Sequence, residues 1–334
     1  MTTAIALFSG GLDSILACRV VAAQGITVKA VKFVSPFFGH ELLAREQEYV
    51  AKIRKTYGID LILRDVSGPY CAMLANPPHG YGKNFNPCID CKILLLREAK
   101  RLMEDEGASF LITGEVVGQR PMSQRRDTLR LIEKDSGCQG ILLRPLCAKL
   151  QNPTQAELDG LVDREQLLSF RGRGRQPQIE LAASFGIYDF PSPAGGCVLT
   201  DPILAKRIAD YYALGKDILV ADLLLLQVGR QMRLSHGGWL AMGRHEEENL
   251  RIEALRQEGD VMLHMPYRSG PMALLRYAGG EADIDAAAGL VVRFGKKPGP
   301  GEEASAVVLV EGAGKSRELM AAPLADDAFK EWYL

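Results

Sequence analysis

"ALFSGGLDSILA", residues 6–17, decides the fold. An apolar run meets two adjacent glycines, then an aspartate and a serine, then a segment of helical character. A strand that turns this tightly into a helix presents unpaired N–H groups and the positive end of the helix dipole. Such a terminus binds anions. Gly10 and Gly11 let backbone approach a phosphate with no Cβ in the way, and Ser9 and Ser14 add hydroxyl donors. Asp13 is out of place at an anion site unless it holds Mg2+ or orients the loop. A pair of glycines alone reads as an ordinary turn. The whole word S-G-G-x-D-S, after a first strand and before a helix, is much more specific.

The chain around this stretch alternates. "TAIALFS", "TVKAVKFVS", "IDLILRDVS", "ASFLITGE" and "QGILLRPL" read as strands. "DSILACRVVAAQG", "HELLAREQEYVAKIRKTYG" and "CKILLLREAKRLMEDEG" read as helices between them. Strands and helices in this rhythm predict parallel βαβ units, hence an α/β doubly wound parallel sheet. With 334 residues, more than one domain is the default. The expected division is 1–150 for the sheet, 151–229 for a connecting region, and 230–334 for a smaller α+β domain. Within the connecting region, "PTQAELDGLVDREQLLSF" looks helical, with Thr154 as its N-cap, and "IELAASFG" is a short helix. "YDFPSPAGGCVLTDP" is a loop, and two helices follow near 202–213 and 217–228. Beyond 230, "QMRLSHGGWLAMG" reads as a hairpin and "HEEENLRIEALRQEG" as a helix. "DVMLHMP", "PMALLRYAG", "AAAGLVVRFG" and "SAVVLVEG" supply further strands and a helix. "KKPGPGEEAS" is a flexible loop.

Composition narrows the function classes. A net charge of −1 gives no bulk attraction for nucleic acid, so any basic surface must be local. No uncharged apolar run reaches the ~18 residues of a membrane span. The N-terminal apolar run lacks a basic flank and breaks at Ser9, so it reads as a strand and not as a leader. A cytoplasmic location is expected. Seven cysteines there point to burial, metal or catalysis before disulfides. "EGAGKS" near residue 312 fails as a Walker A motif, because its first glycine would fall at Leu309.

The S-G-G-L-D-S word resembles the PP-loop of the ATP pyrophosphatase superfamily, whose members split ATP into AMP and pyrophosphate. The resemblance implies ATP at the C-terminal ends of the strands, bound by Ser9, Gly10, Gly11, Asp13 and Ser14, with Mg2+. It also implies Phe33 beside adenine and Gly114 of "LITGEVVGQR" beside the nucleotide. "LLRPL" at 142–146 is similar to the end of the last core strand in tRNA 4-thiouridine synthases.

The cysteines sharpen this. "NFNPCIDCK" places Cys88 and Cys91 three apart just before a helix, with Cys91 near its N-terminus, where the dipole lowers a thiol pKa and favours thiolate. Cys197 follows in "SPAGGCVLTDP", where glycines expose its sulfur. Cys18, Cys71, Cys138 and Cys147 lack such settings. A closed zinc site needs four ligands, and His79 is a weak fourth. Three thiolates suit a [4Fe–4S] cluster with one iron open for sulfide. The competing chemistry is a cysteine persulfide without a cluster, one cysteine carrying sulfur and another resolving it.

A PP-loop, N-P-C-x-x-C and a distant G-G-C together resemble tRNA thiolases, both 2-thiouridylases and cluster-dependent two-thiouridine synthetases. The second group implies Cys88, Cys91 and Cys197 as cluster ligands, and Asp13 with these cysteines as the catalytic set. Glu115 departs from the pattern, standing where those families commonly have His. The flanking zinc-finger cysteines of the archaeal group are missing, as is the N-terminal RNA-binding region of 4-thiouridine synthases.

"GGWLAMGRHEEENLRIEALRQEGDVMLHMPYRSGPMALLR" is similar to the NFACT-R domain, inferred to bind RNA. The matching positions are Gly243, Arg244, Asn249, Asp260, His264, Gly270 and Pro271, of which Arg244 and His264 are candidate RNA contacts. Nearer the proposed site, "GQRPMSQRRDTLR" and "SFRGRGRQ" offer Arg120, Arg125, Arg126, Arg171, Arg173 and Arg175, suited to phosphates and bases. The expectation is an ATP-dependent sulfurtransferase that thiolates tRNA, fed by sulfide or a cysteine desulfurase system, with a homodimer compatible. The alternatives are a PP-loop enzyme acting on a small molecule and a non-enzymatic RNA-binding protein.

Overall fold

Alternate residues of the first strand face opposite ways, and both faces are apolar. β1 (Thr3–Leu7) sends Ala4 and Ala6 to one side of a sheet and Ile5 to the other. A strand buried on both faces belongs in the middle of a parallel sheet. The computed structural model, which describes residues 2–193, 196–214, 218–299, 301 and 303–334, places it there. The chain forms two compact units, residues 1–200 and 201–334.

The first unit runs β1, α1 (Leu12–Ala22), β2 (Thr27–Val34), α2 (Glu46–Tyr57), β3 (Asp60–Asp65), α3 (Ser67–Ala75), α4 (Cys88–Asp105), β4 (Phe110–Thr113), α5 (Arg126–Ser136), β5 (Leu142–Leu143), α6 (Gln155–Leu158) and α7 (Gln176–Ser184). Its strands pair in parallel in the order β3-β2-β1-β4-β5. The sheet is doubly wound. On one face Leu12, Ile15 and Leu16 of α1 cover Ala4, Ala6, Phe110 and Ile112. On the other, Ile93, Leu96 and Ala99 of α4 cover Ile5, Val31 and Leu111. The strand order reverses between β1 and β4, which opens a crevice at their C-terminal ends.

Most expected elements form, with corrections. "PTQAELDGLVDREQLLSF" is not one helix. Thr154 does cap α6 through a capping box with Glu157, but the helix ends after one turn, before Gly160 at φ +69°. Only a short 3-10 turn follows, at Arg164–Gln166. The sequence reading missed α3 and α5; α5 begins inside the basic stretch that held Arg125 and Arg126. Ala194 and Gly195 of "SPAGGC", residue 217 of the second expected helix, and Pro300 and Glu302 of the "KKPGPGEEAS" loop lie outside the described residues.

The second unit begins with α8 (Pro202–Tyr212) and α9 (Val220–Leu225). It continues with β6 (Arg230–Arg233), β7 (Trp239–Met242), α10 (Glu246–Ala254), β8 (Val261–His264), β9 (Ala273–Arg276), α11 (Glu281–Arg293), β10 (Ala306–Gly312) and β11 (Lys315–Ala321). The strands form an antiparallel sheet in the order β11-β10-β8-β9-β7-β6. Leu290 and Val291 of α11 pack with Leu263, Leu275 and Val308 in its core. "EGAGKS" is the β10–β11 turn, with Ala313 at φ +49° and Gly314 at +72°. At the heart of the unit, Arg276 reaches Asp260 through Nε (2.9 Å) and Nη2 (2.7 Å) and Asp222 through Nη1 (2.6 Å). Among the described residues, no helix is long and apolar enough to cross a membrane.

Candidate active site

The crevice at the ends of β1, β2 and β4 is a cavity of 340 Å³. Ser9, Asp13, Ser14, Phe33 and Gly114 line it. The loop between β1 and α1 is built around Gly10, whose φ of +89° only glycine adopts without strain. Gly11 is the N-cap of α1. The Ser14 hydroxyl donates to the Gly11 carbonyl at 2.7 Å, and the Ser9 and Ser14 hydroxyls lie 3.2 Å apart. Gly114 is required by space. A Cβ there would come within 2.5 Å of the Asp13 carbonyl and 2.6 Å of the Ser14 nitrogen.

Four residues that the sequence reading did not assign to the nucleotide site complete the wall. Gln119 donates from Nε2 to Asp13 Oδ2 at 3.0 Å, while Asp13 Oδ1 is buried with no partner among the described residues. That orphaned carboxylate oxygen fits a hard cation. Lys32 donates to the Ser9 carbonyl at 2.7 Å, and burial lowers its pKa against the pull of Glu41. Lys92, one residue beyond Cys91, lines the cavity and donates to Glu115. Burial would raise the Glu115 pKa. The charges and hydrogen bonds of Lys92 and Arg144 outweigh it and hold the carboxyl down at about 2. Glu115 is therefore an anchor for two cations, with its charge fully occupied. These residues come from three separate segments, so no local motif marked them.

The three candidate cysteines converge. Cys88 begins α4, and Cys91 follows one turn later on the same face. Tyr70 of α3 hydrogen-bonds Cys91, and Cys91, Cys197 and Cys88 all act on its hydroxyl, which burial raises well above its ordinary pKa. Cys197 reaches this group because the turn after it, Val198–Thr200, is tied to the 84–85 segment. Asn84 Nδ2 donates to the Thr200 carbonyl at 2.6 Å, and the Phe85 amide to the Leu199 carbonyl at 3.2 Å. The expectation of an activated Cys91 thiolate is corrected. Burial pushes its thiol up to about 12, against the lowering effects of Tyr70 and Lys92. Burial raises Cys197 as well. A helix terminus cannot offset the loss of water around the sulfur.

His79 does not join them. Its ring nitrogens are held by Asp90 at 2.8 Å and Asp135 at 3.0 Å. Three thiols fit a [4Fe–4S] cluster in kind. Their present arrangement does not: among the described residues, no group of three His, Cys, Asp or Glu side chains is placed to hold a metal ion. The remaining cysteines, Cys18, Cys71, Cys138 and Cys147, are buried.

The cysteine group and the crevice share a wall. Phe38 lines the crevice and packs edge-on against Tyr70, with ring centroids 5.2 Å apart. Arg120 lines the crevice too, and its charge acts on Cys197. The two arginine loops also meet: the Gly172 amide donates to the Val117 carbonyl at 2.8 Å, and Arg171 bridges Val117. Arg171 and Arg173 are exposed and Arg175 half-buried. Arg125 pairs with Asp127 at 3.2 Å, and Arg126 reaches the Leu150 carbonyl at 3.3 Å. In the second unit, Arg244 is bound to Glu248 through Nε at 3.0 Å, and His264 Nδ1 is buried without a partner among the described residues.

Comparison with known proteins gives two family matches. Residues 1–152 match the thiamine biosynthesis protein (ThiI) family, and residues 229–333 match the NFACT protein RNA binding domain. A probable tRNA sulfurtransferase of Methanothermobacter thermautotrophicus is 31% identical over 117 residues, 34% of this chain and 29% of the relative. A second, from Methanosarcina mazei, is 32% identical over 124 residues, 34% of this chain and 28% of the relative. The match thus spans under a third of the length of these curated relatives. Among solved structures, a 4-thiouridine synthetase–RNA complex with bound ATP is similar at 21% identity and TM-score 0.40, over 68% of this chain and 52% of that one. The chain is thus similar to the ThiI family over residues 1–152 and to the NFACT protein RNA binding domain over residues 229–333.

Proposed function

We propose that this protein is an ATP-dependent tRNA sulfurtransferase. The observation that carries the reading is the shared wall: Phe38 and Arg120 line the nucleotide crevice and also touch or act on the group formed by Tyr70, Cys91 and Cys197. Activation at one side and sulfur at the other are then one side chain apart. The curated relatives matched by the first unit carry the name tRNA sulfurtransferase, in agreement with this reading.

ATP would lie over the loop from Ser9 to Ser14, with adenine beside Phe33, and Asp13 would hold Mg2+ to offset phosphate charge. A nucleobase carbonyl oxygen attacks the α-phosphorus, the bond to pyrophosphate breaks, and an adenylated base forms. The loop amides, Lys32 and Lys92 stabilise charge on the departing pyrophosphate. The target nucleotide must leave its stack to reach the crevice. Arg120, Arg171, Arg173 and Arg175 hold the RNA backbone there, while Arg244 and His264 contact RNA from the NFACT-R domain. Sulfur then attacks the activated carbon, and AMP leaves with the original oxygen.

Cys88, Cys91 and Cys197 supply that sulfur, either as sulfane sulfur passed by thiol exchange from the persulfide of a cysteine desulfurase system or, where a cluster binds it, as sulfide. If one carries it as a persulfide, its terminal sulfur forms the bond to carbon. A second cysteine then cleaves the sulfur–sulfur bond, and a thiol reductant must reopen the resulting disulfide. A [4Fe–4S] cluster, for which the three thiols are the right ligands in kind but would have to move together, would instead supply an open iron for sulfide.

The test is purification under nitrogen, with iron and acid-labile sulfide assays, followed by ATP turnover and nucleoside mass spectrometry on added tRNA. Expected are AMP and pyrophosphate in a tRNA-stimulated reaction lost in Asp13→Ala, and a thiolated nucleoside lost in Cys88→Ala, Cys91→Ala and Cys197→Ala. Iron lost in each cysteine variant assigns the cluster; none in active protein assigns the persulfide. ATP turnover indifferent to tRNA, with no sulfur incorporated, would overturn the reading.

A further inference from the structure

Arg144 carries a feature that the nucleotide chemistry leaves unused. It follows β5 and is 2% exposed. Its Nε donates to Glu115 at 2.9 Å, and its Nη1 to Glu133 and to Gln151 Oε1 at 3.1 Å. Its Nη2 is buried with no hydrogen-bond partner among the described residues. A buried guanidinium N–H without an acceptor is costly, and an anionic oxygen is the acceptor that suits it best.

Arg144 lines a cavity of 440 Å³ that shares no lining residue with the nucleotide crevice. Arg126 and Arg130, from the first two turns of α5, line the same cavity. Both carboxylates in its wall are already engaged. Glu133 pairs with Arg144, and Glu157 pairs with Arg164 and closes the cap at Thr154. The charge left facing the space is positive. Its size falls in the range of small-molecule sites.

We propose that this cavity is a second anion site, taking a phosphate group with Arg144, Arg130 and Arg126 as its donors. The guanidinium fork matches phosphate geometry, and three of them around one space select a multiply charged oxyanion. The phosphate is either free inorganic phosphate or part of an RNA strand. The site stands on its own residues and does not depend on the thiolation reading. It is joined to the crevice through Glu115, which takes Arg144 on one side and Lys92 on the other.

The test is titration of the full chain with inorganic phosphate at low salt, followed by 31P line broadening. A non-hydrolysable ATP analogue is kept in excess to fill the crevice. Saturable binding is expected, weakened about tenfold in Arg130→Ser. Arg130 is exposed, so that variant folds even where Arg144→Gln does not. Its effect assigns the signal to this cavity whatever the crevice does. Displacement of phosphate by a short single-stranded RNA names the RNA backbone as the source, and retention of phosphate with that RNA bound names the free anion. Absence of saturable binding, or equal binding by wild type, Arg130→Ser and Arg126→Ser, would overturn the proposal.

Discussion

Glu115 accepts a hydrogen bond from Arg144 at 2.9 Å, with both side chains nearly inaccessible to water. Its other oxygen accepts from Lys92. Removing one member of such a group leaves an uncompensated buried charge, at a cost of about 3–5 kcal/mol.

Glu115→Gln is therefore expected to lower unfolding stability in urea at neutral pH by about 3 kcal/mol. The effect has a defined pH dependence. The folded-state pKa is depressed to about 2 from an ordinary 4.5. The carboxylate contributes fully above the unfolded value, and its contribution fades as pH falls from 4.5 towards 2. The gap between wild type and Glu115→Gln should close over that window. A gap of constant size from neutral pH down to pH 3 would contradict the assignment.

Gly114→Ala tests the crevice wall. Its Cβ would sit 2.5 Å from backbone atoms of Asp13, which cannot rotate away. The Ser9–Ser14 loop must shift, with a stability loss of about 1–3 kcal/mol and, on the proposed function, nucleotide affinity reduced by more than about tenfold. Gly11→Ala is the control for stability: its nearest new neighbour is Ser9 Oγ at 3.5 Å, and its φ of −79° suits alanine. Urea melts should separate the two variants; equal melting would show that the close approach is not enforced.

Arg276→Met leaves Asp222 and Asp260 without their shared cation, so the second unit should lose about 3–5 kcal/mol. Both tryptophans of the chain, Trp239 and Trp332, lie in that unit. Tryptophan fluorescence therefore reports its melting alone. The expected result is an early fluorescence transition with ATP binding by the first unit retained. Loss of both together would mean that the units do not melt separately.

Much of the fold was legible because local patterns carry it. β1 alternates Ala4, Ile5, Ala6 between two apolar faces, and Gly10 and Gly11 mark the turn that follows. The segment after Thr154 shows the limit. Its cap was readable, but an apolar pattern resembling a helix was interrupted at Gly160, where the chain takes a positive φ. Helix α5 was missed for the opposite reason, since its basic start drew attention to charge and away from Leu129 and Ile132, which are buried.

By itself the sequence determined the parallel sheet, the glycine turn after β1 and the candidate cysteines, because strand periodicity, glycine conformation and motif spacing are properties of neighbouring residues. Tertiary structure alone decided the state of those groups. Gln119 meets Asp13 across 106 positions, and Lys92, Glu115 and Arg144 assemble from separate segments. The Cys91 thiol, which its helix position suggested would ionise, is instead raised to about 12. Burial and charge pairing set a side chain's chemistry, and both are made by residues that only folding brings together.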